Sequence, residues 1–438
     1  MPKSKAAAGK KKTKKSASKL SQKLAPSAKP KRRLFTGIKT LFTLDRAFRK
    51  AARRVTADDL DRIDGAAFVS ENGRIVWVGK EKDLPREFKN AIKSEDLQGA
   101  VVLPAFVESH THLIYAGNRA AEFERRNQGE SYQSIAKSGG GILATLIPTR
   151  EASEKELTAI GQERAERFLK QGVSTIEVKS GYALTAEGEM KMLRAAGAIR
   201  RARIVRTFLG AHAIPKEFKS AEAYIDYLLE EALPQLKKEG LACRADIFIE
   251  QGYFSKELGK KYLSRFREEG FDLAVHADQL SRCGGAELAV ELKARSAEHL
   301  IQINDEDIRK LSASEVTCVL LPTADLYMNC AYPPARKLID QGARVALATD
   351  LNPGTSPSFD VALVGVLARI YMKMSLPETI VAYTLGGAYA LGLEKELGSI
   401  SKGKLADFVV LEGEMEELFL EAGRQPVARL YREGERLL

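Results

Sequence analysis

Between Leu34 and Leu103 short apolar runs alternate with turn residues, a pattern that predicts strands rather than helices. Ala67–Ser70 and Ile75–Gly79 flank Asn72-Gly73, the pair that suits a two-residue hairpin because both positions tolerate positive φ. The C-terminal end carries matching pieces: Lys402–Leu411 reads as a turn and then a strand, and Val427–Tyr431 as another strand. Two strand-rich ends predict one small β-sandwich domain built from the N- and C-terminal segments, residues 34–102 and 391–438. The long middle is different. Apolar runs centred on residues 103–109, 173–179, 204–211, 245–251, 272–278, 296–299, 317–322 and 344–350 alternate with amphipathic stretches such as Lys155–Gln171, Glu187–Arg200, Ala221–Glu239 and Asp305–Ser312. Eight such units predict an α/β fold, a (β/α)8 TIM barrel over residues 103–390, with its chemistry at the C-terminal ends of the strands. An open doubly wound sheet is the alternative, but no GxGxxG follows an early strand.

Composition changes this picture mainly at the N-terminus. The chain has 438 residues, enough for one large barrel and a smaller domain, and its 44% hydrophobic and 29% charged content is ordinary for a globular protein. Its net charge of +11 resides in residues 1–33, which hold eleven Lys and two Arg, whereas the first acidic residue is Asp45. Without those thirteen cations the rest of the chain carries 56 basic and 58 acidic residues and is close to neutral. Residues 1–33 are nearly empty of large apolar side chains, cannot offset their ordering entropy, and are expected to form a disordered basic tail. The KKKTKK run at residues 10–15 suits weak contact with an anionic surface or nucleic acid, although a dispensable, solvated tail is the simpler account. No stretch approaches the ~20 uninterrupted apolar residues of a membrane span, and no signal-peptide core is seen near the start. Cys243, Cys283, Cys318 and Cys330 show no CxxC spacing and read as buried, reduced thiols of a cytoplasmic protein.

Candidate chemistry gathers where strands end. The first barrel strand runs into His110-Thr111-His112, and in extended backbone residues two apart share a face, so both imidazoles project together as two metal ligands must. The pair alone is ambiguous, because two histidines on one face can also be packing residues. The chain has five histidines, and the other three, His212, His276 and His299, also fall at or near strand ends. Structural histidines would scatter over helices and surfaces too, so this distribution points to a metal or acid–base site, and imidazole suits zinc or iron. The last predicted strand ends in Asp350, a buried carboxylate that needs a partner or a metal and can take a proton from a nucleophilic water. A helix cap is the competing account. Asn352, Gly354 and Thr355 follow, offering an amide, close backbone approach and a hydroxyl to a polar ligand. Arg119 suits a bidentate grip on a carboxylate and Tyr182 a phenolic donor, against their ordinary roles in surface salt bridges and core packing.

Taken together, HTHLIYAGNR, SGGGI, EVKSGYAL, TFLGAHAIP, VHADQLSRCGGAELA, AEHL, YPPARKLIDQG and ATDLNPGTSPS resemble the imidazolonepropionases of the amidohydrolase superfamily, from about residue 35 to the C-terminus. The resemblance implies a (β/α)8 barrel with a terminal β domain, and one zinc or iron ion held by His110, His112, His276 and Asp350. It implies that Arg119, Tyr182, His212, Gln279, Asn352, Gly354 and Thr355 contact imidazolone propanoate or its product. The implied reaction is hydrolysis of a cyclic amide C–N bond to N-formimidoyl-L-glutamate, in histidine degradation, by a homodimer. Asp350, with His299, is expected to act as general base, and His212 to steady the oxyanion. A dinuclear site, with His299 as a second-metal ligand and carboxylated Lys179 as bridge, is the less favoured alternative. Gln279 stands where some members have Glu, and a glutamine can hydrogen-bond the ring but cannot serve as a base. Ala183 replaces an expected Gly, and the basic tail has no counterpart in the family pattern. Two other classes stay open: an amidohydrolase acting on a different heterocycle, and a nucleic-acid-associated protein that has lost catalysis, against which the complete ligand set argues.

Overall fold

The computed structural model describes residues 31–89, 93–130, 134–135 and 140–438. The expected tail lies outside them except for its last three residues, where β1 already begins at Arg32. The N-terminal segment forms β1 (Arg32–Phe42), β2 (Arg62–Glu71), β3 (Arg74–Lys80) and β4 (Lys93–Pro104). Asn72 (φ 52°) and Gly73 (φ 80°) make the predicted tight turn between β2 and β3. The barrel follows as β5 (Phe106–Glu108), β6 (Val173–Lys179), β7 (Arg203–Ala211), β8 (Arg244–Ile249), β9 (Asp272–Ala277), β10 (Ser296–His299), β11 (Thr317–Leu320) and β12 (Arg344–Leu347). The C-terminal segment adds β13 (Phe408–Leu411), β14 (Val427–Arg432) and β15 (Glu435–Arg436).

Among the described residues the terminal strands make one seven-stranded sheet in the order β15-β14-β13-β4-β1-β2-β3. The sandwich is thus a single sheet folded on itself. A bridge from Arg74 to Leu405 joins its far edge back to the chain entering β13. Aromatic rings fill the fold, with Phe35 4.8 Å from Phe68 and 4.9 Å from Phe408 between ring centres.

All eight predicted barrel strands form, in the order β5 to β12 around the sheet. The parallel bridge between Thr111 and Leu351, with His112 N donating to Leu351 O at 2.8 Å, links the two ends of the ring. One boundary differs from expectation. The apolar run 103–109 is split at Pro104, which has no N–H to continue a ladder. β4 ends there in the terminal sheet, Ala105 N donates to Asp407 O, and Phe106 N donates to Gly172 O to enter the barrel. The same few residues therefore hinge the β domain onto the barrel and deliver His110 to its mouth.

The connecting helices follow the periodicity. Glu154–Lys170 buries Leu157, Ala165, Phe168 and Leu169 on one face, and starts at a capping box in which Ser153 accepts from Glu156 N. Asp305–Ser312 forms as predicted and is capped by Asn304. The stretch 221–239 is helical throughout but passes through a wider π turn at Leu228–Ala232. Of the four thiols expected to be buried, only Cys318 is; Cys243 is exposed, and Cys283 and Cys330 are partly so. Among the described residues no helix is long and apolar enough to cross a membrane.

Candidate active site

Strand ends position each histidine. β5 runs on into His110 and His112, His212 follows β7, His276 lies in β9, His299 closes β10 and Asp350 stands just past β12. Asp350 (φ 53°) and His299 (φ 71°) have left-handed backbone, which costs a non-glycine residue about 1–2 kcal/mol and gathers at functional sites. The ligand atoms of His110, His112 and Asp350 lie within 4.8 Å of one another, as do those of His110, His276 and His299. His110 Nε2 faces Asp350 Oδ1 at 3.3 Å, and His112 Nε2 is 3.6 Å from the same oxygen. Among the described residues, His110 Nε2, His276 Nε2, His299 Nδ1 and Asp350 Oδ1 have no hydrogen-bond partner. Burial holds His110, His112 and His299 well below the ordinary histidine value, and neighbouring cationic groups add to the effect, so these rings are neutral. A ring lone pair and a carboxylate oxygen at such a distance repel unless a cation lies between them. Imidazoles with a carboxylate are a donor set for zinc or iron, and the residues present fit such an ion.

Behind these candidate ligands lies a layer of buried charge. Lys179 in β6 places its Nζ 2.9 Å from Asp246 in β8, 3.1 Å from Glu298 in β10 and 3.0 Å from Glu177 in its own strand. Alternate strands supply one layer of a barrel interior, which is the pattern seen here. Asp246 lies 2.9 Å from Nδ1 of His276, and Glu298 lies 2.8 Å from Nδ1 of His110. A carboxylate behind Nδ1 keeps the proton there and turns Nε2 towards a metal. Burial lowers the basicity of His276, but Asp246 and Glu298 outweigh it and raise the value. Burial acts on Lys179 in the same direction, and Asp246, Glu177 and Glu298 outweigh it and keep the amine charged. Carboxylation requires a neutral amine, and a carbamate here would meet three carboxylates. The dinuclear alternative built on Lys179 therefore does not fit.

A cavity of about 600 Å³, mouth included, opens over the candidate ligands. His112, Arg119, Tyr182, His212, Gln279 and Thr355 give its polar lining, and Ile142, Phe248, Tyr253 and Met328 its apolar walls. Gly354 does not line it. A Cβ there would fall 2.0 Å from Arg119 Nη1, so the missing side chain makes room for the guanidinium. Asn352 reaches the cavity, but its Nδ2 donates to Asp350 O and Thr355 Oγ1, and its Oδ1 accepts from Gly354 N and Thr355 N. It builds the loop after Asp350 rather than offering an unused amide. Gly181 (φ 106°) brings its carbonyl 3.1 Å from His212 Nδ1. A carbonyl only accepts, so Nδ1 carries the proton, and burial lowers His212 to about 3 and keeps it neutral. Its Nε2 is thus an acceptor. The expected oxyanion role does not fit; His212 suits a ligand N–H.

The family model for the amidohydrolase family matches residues 101–436. The chain is 53% identical over 406 residues to the imidazolonepropionase of Bdellovibrio bacteriovorus, covering 92% of this chain and 96% of that one. It is 44% identical over 357 residues to the imidazolonepropionase of Symbiobacterium thermophilum, covering 80% and 84%. This chain belongs to the imidazolonepropionase family. Solved structures of like fold include the guanine deaminase of E. coli, with a TM-score of 0.71 at 16% identity over 93% of this chain and 99% of that one. A zinc-bound adenosine deaminase from Xanthomonas campestris gives 0.67 at 17% identity over 93% and 92%.

In this imidazolonepropionase-family site the residues singled out in the sequence meet in one place, with His110 as the fully buried floor and Gly354 acting through Arg119. Asp246 and Glu298 were missed, although charged residues inside apolar strands were there to be read. Glu298→Gln keeps the shape but removes the negative charge behind the Nδ1 proton of His110, and is expected to weaken zinc binding about 10–100-fold, as read by competition with a chromophoric chelator. Burial pushes Asp350 from 3.8 to about 7. Between those values the folded chain keeps a proton that the unfolded chain has released. The contribution of Asp350 to the stability of the metal-free protein should therefore fall as pH rises from 3.8 to about 7, against the opposite trend from the four neutral histidines, while zinc affinity rises over the same window. Urea titrations of the metal-free parent and Asp350→Asn proteins, whose difference isolates Asp350, and zinc titrations of the parent, at pH 5 and pH 8, check both signs.

Proposed function

We propose that the chain hydrolyses the cyclic amide of 4-imidazolone-5-propanoate to N-formimidoyl-L-glutamate, using one zinc or iron ion held by His110, His112, His276 and Asp350. One observation carries the reading: unpartnered imidazole and carboxylate atoms converge beneath a cavity lined by Arg119, in a chain 53% identical to a named imidazolonepropionase. A bound ion supplies Lewis acidity and lowers the pKa of a water from about 16 towards about 7.

The chain's own groups supply the rest. Arg119 grips the propanoate and fixes the ring's pose. His212 Nε2 accepts from a ring N–H, Tyr182 donates to a ligand oxygen, and Gln279 hydrogen-bonds the ring without acting as a base. Asp350 takes the proton of the attacking water, a task suited to a carboxylate that stands 3.3 and 3.6 Å from the ring nitrogens of His110 and His112 and lines the cavity. The water oxygen joins the ring carbonyl carbon, the C–N bond breaks, the departing nitrogen receives the proton taken by Asp350, and the water's second proton is released as the new carboxylic acid ionises to a carboxylate. His299, whose ring centre is 5.3 Å from that of His276, is placed to assist that transfer. The four unpaired thiols support a cytoplasmic location. The test is product identity: NMR of the reaction mixture is expected to show N-formimidoyl-L-glutamate. Turnover of other cyclic amides or aminoheterocycles, but not of imidazolone propanoate, would overturn the substrate.

A further inference from the structure

Arg119 precedes the helix Ala120–Asn127, and Glu122 lies in its first turn; both are nearly buried, at 7% and 8% exposed. Arg119 Nε donates to Glu122 Oε2 at 2.7 Å, and Nη2 lies 2.6 Å from the same oxygen. The other oxygen, Oε1, accepts from Gly141 N at 2.9 Å. Against Nη1 stands Gly354, where any side chain would collide. The guanidinium is therefore fixed between a carboxylate on its Nε–Nη2 side and a glycine at Nη1. The same carboxylate ties down the backbone next to Ile142, part of the cavity wall. A buried carboxylate beside a cation that must itself receive an anion opposes binding by like-charge repulsion. Its presence calls for a compensating role.

We propose that Glu122 is a positioning residue that sets the angle at which Arg119 meets the substrate carboxylate. It thereby makes the site prefer a carboxylate-bearing imidazolone over a neutral one. This rests on the substrate reading above. Glu122 acts twice: it holds the arginine, whose flexible stem would otherwise lose that angle, and it anchors the adjoining wall at Gly141. Glu122→Gln tests both, because its single carbonyl oxygen can accept from Arg119 or from Gly141 N, and the amide N–H₂ then faces the other donor.

The experiment compares kcat/KM for imidazolone propanoate and for its uncharged propanamide counterpart, using the full-length, metal-loaded protein. In Glu122→Gln the ratio of acid to amide is expected to fall about tenfold, through a higher KM for the acid with kcat little changed. Glu122→Asp keeps the charge on a shorter stem and should give an intermediate ratio; it also supplies the comparison if the glutamine variant fails to fold. Equal losses on both substrates with an unchanged ratio would mean a purely structural role, and a rising ratio would mean that Glu122 merely competes with the substrate. Either overturns the assignment and leaves the substrate reading intact. A ratio near one in the unsubstituted protein would remove the carboxylate grip itself, and the substrate reading with it.

Discussion

Asp350→Asn is expected to lower kcat by about 10³-fold or more while the protein still carries metal. An asparagine keeps one oxygen that can face His110 and His112, which stand 3.3 and 3.6 Å from Asp350 Oδ1. It cannot accept a proton. The loss should thus fall on the proton-transfer step and not on folding, since an amide in place of a buried carboxyl raised to about 7 removes an ionisation that burial already disfavours. Metal content and kcat measured on the same sample separate the two effects. A variant with bound metal and substantial turnover would refute Asp350 as the base and move that role to His299, whose Nδ1 has no hydrogen-bond partner among the described residues and which is not one of the four residues proposed to hold the metal.

Lys179→Met should be among the most destabilising single changes in the chain. Its ammonium is fully buried and lies within 3.1 Å of each of three carboxylates, on Glu177, Asp246 and Glu298. Removing one partner of a buried charge group leaves the others uncompensated and typically costs about 3–5 kcal/mol. Arg244, 3.2 Å from Glu177, offsets only part of that, because its close ion pair is with Glu177 and not with the two carboxylates behind His110 and His276. Urea unfolding of the metal-free variant against the metal-free parent reads the difference. A change below about 1 kcal/mol would mean that the carboxylates hold protons and that the layer is not an ionic network. Loss of activity alone would not decide it, since Asp246 and Glu298 also orient His276 and His110.

Much of this site could be read from residue order, and the reasons are physical. A TIM barrel delivers the ends of its strands to one rim, so a histidine placed at a strand end is already placed in space. That is why His110, His112, His276, His299 and Asp350 could be grouped before any coordinates. The split at Pro104 was legible in principle, because proline cannot continue a ladder, but an unbroken apolar run masks it. The charged layer carried a weaker signal. Glu177 and Lys179 are two apart in one strand and Arg244 and Asp246 in another, a period that puts each pair on one face. Only the closed barrel shows that those faces point inwards and meet. The orientation of His212 was not legible at all. Its acceptor nitrogen is set by the carbonyl of Gly181, a neighbour that strand pairing brings across from β6. The role of Gly354 is similar, because the space it leaves is filled by an arginine more than two hundred residues earlier.

The central claim is a one-metal hydrolysis of imidazolone propanoate. Stripping the protein with a chelator, adding zinc or iron(II) in small steps, and following the loss of substrate absorbance tests it most directly. The account predicts no turnover when stripped, then a rate that rises linearly to one metal per chain and stays flat. Full activity in the stripped protein, or a rate that keeps rising to two metals per chain, would contradict it.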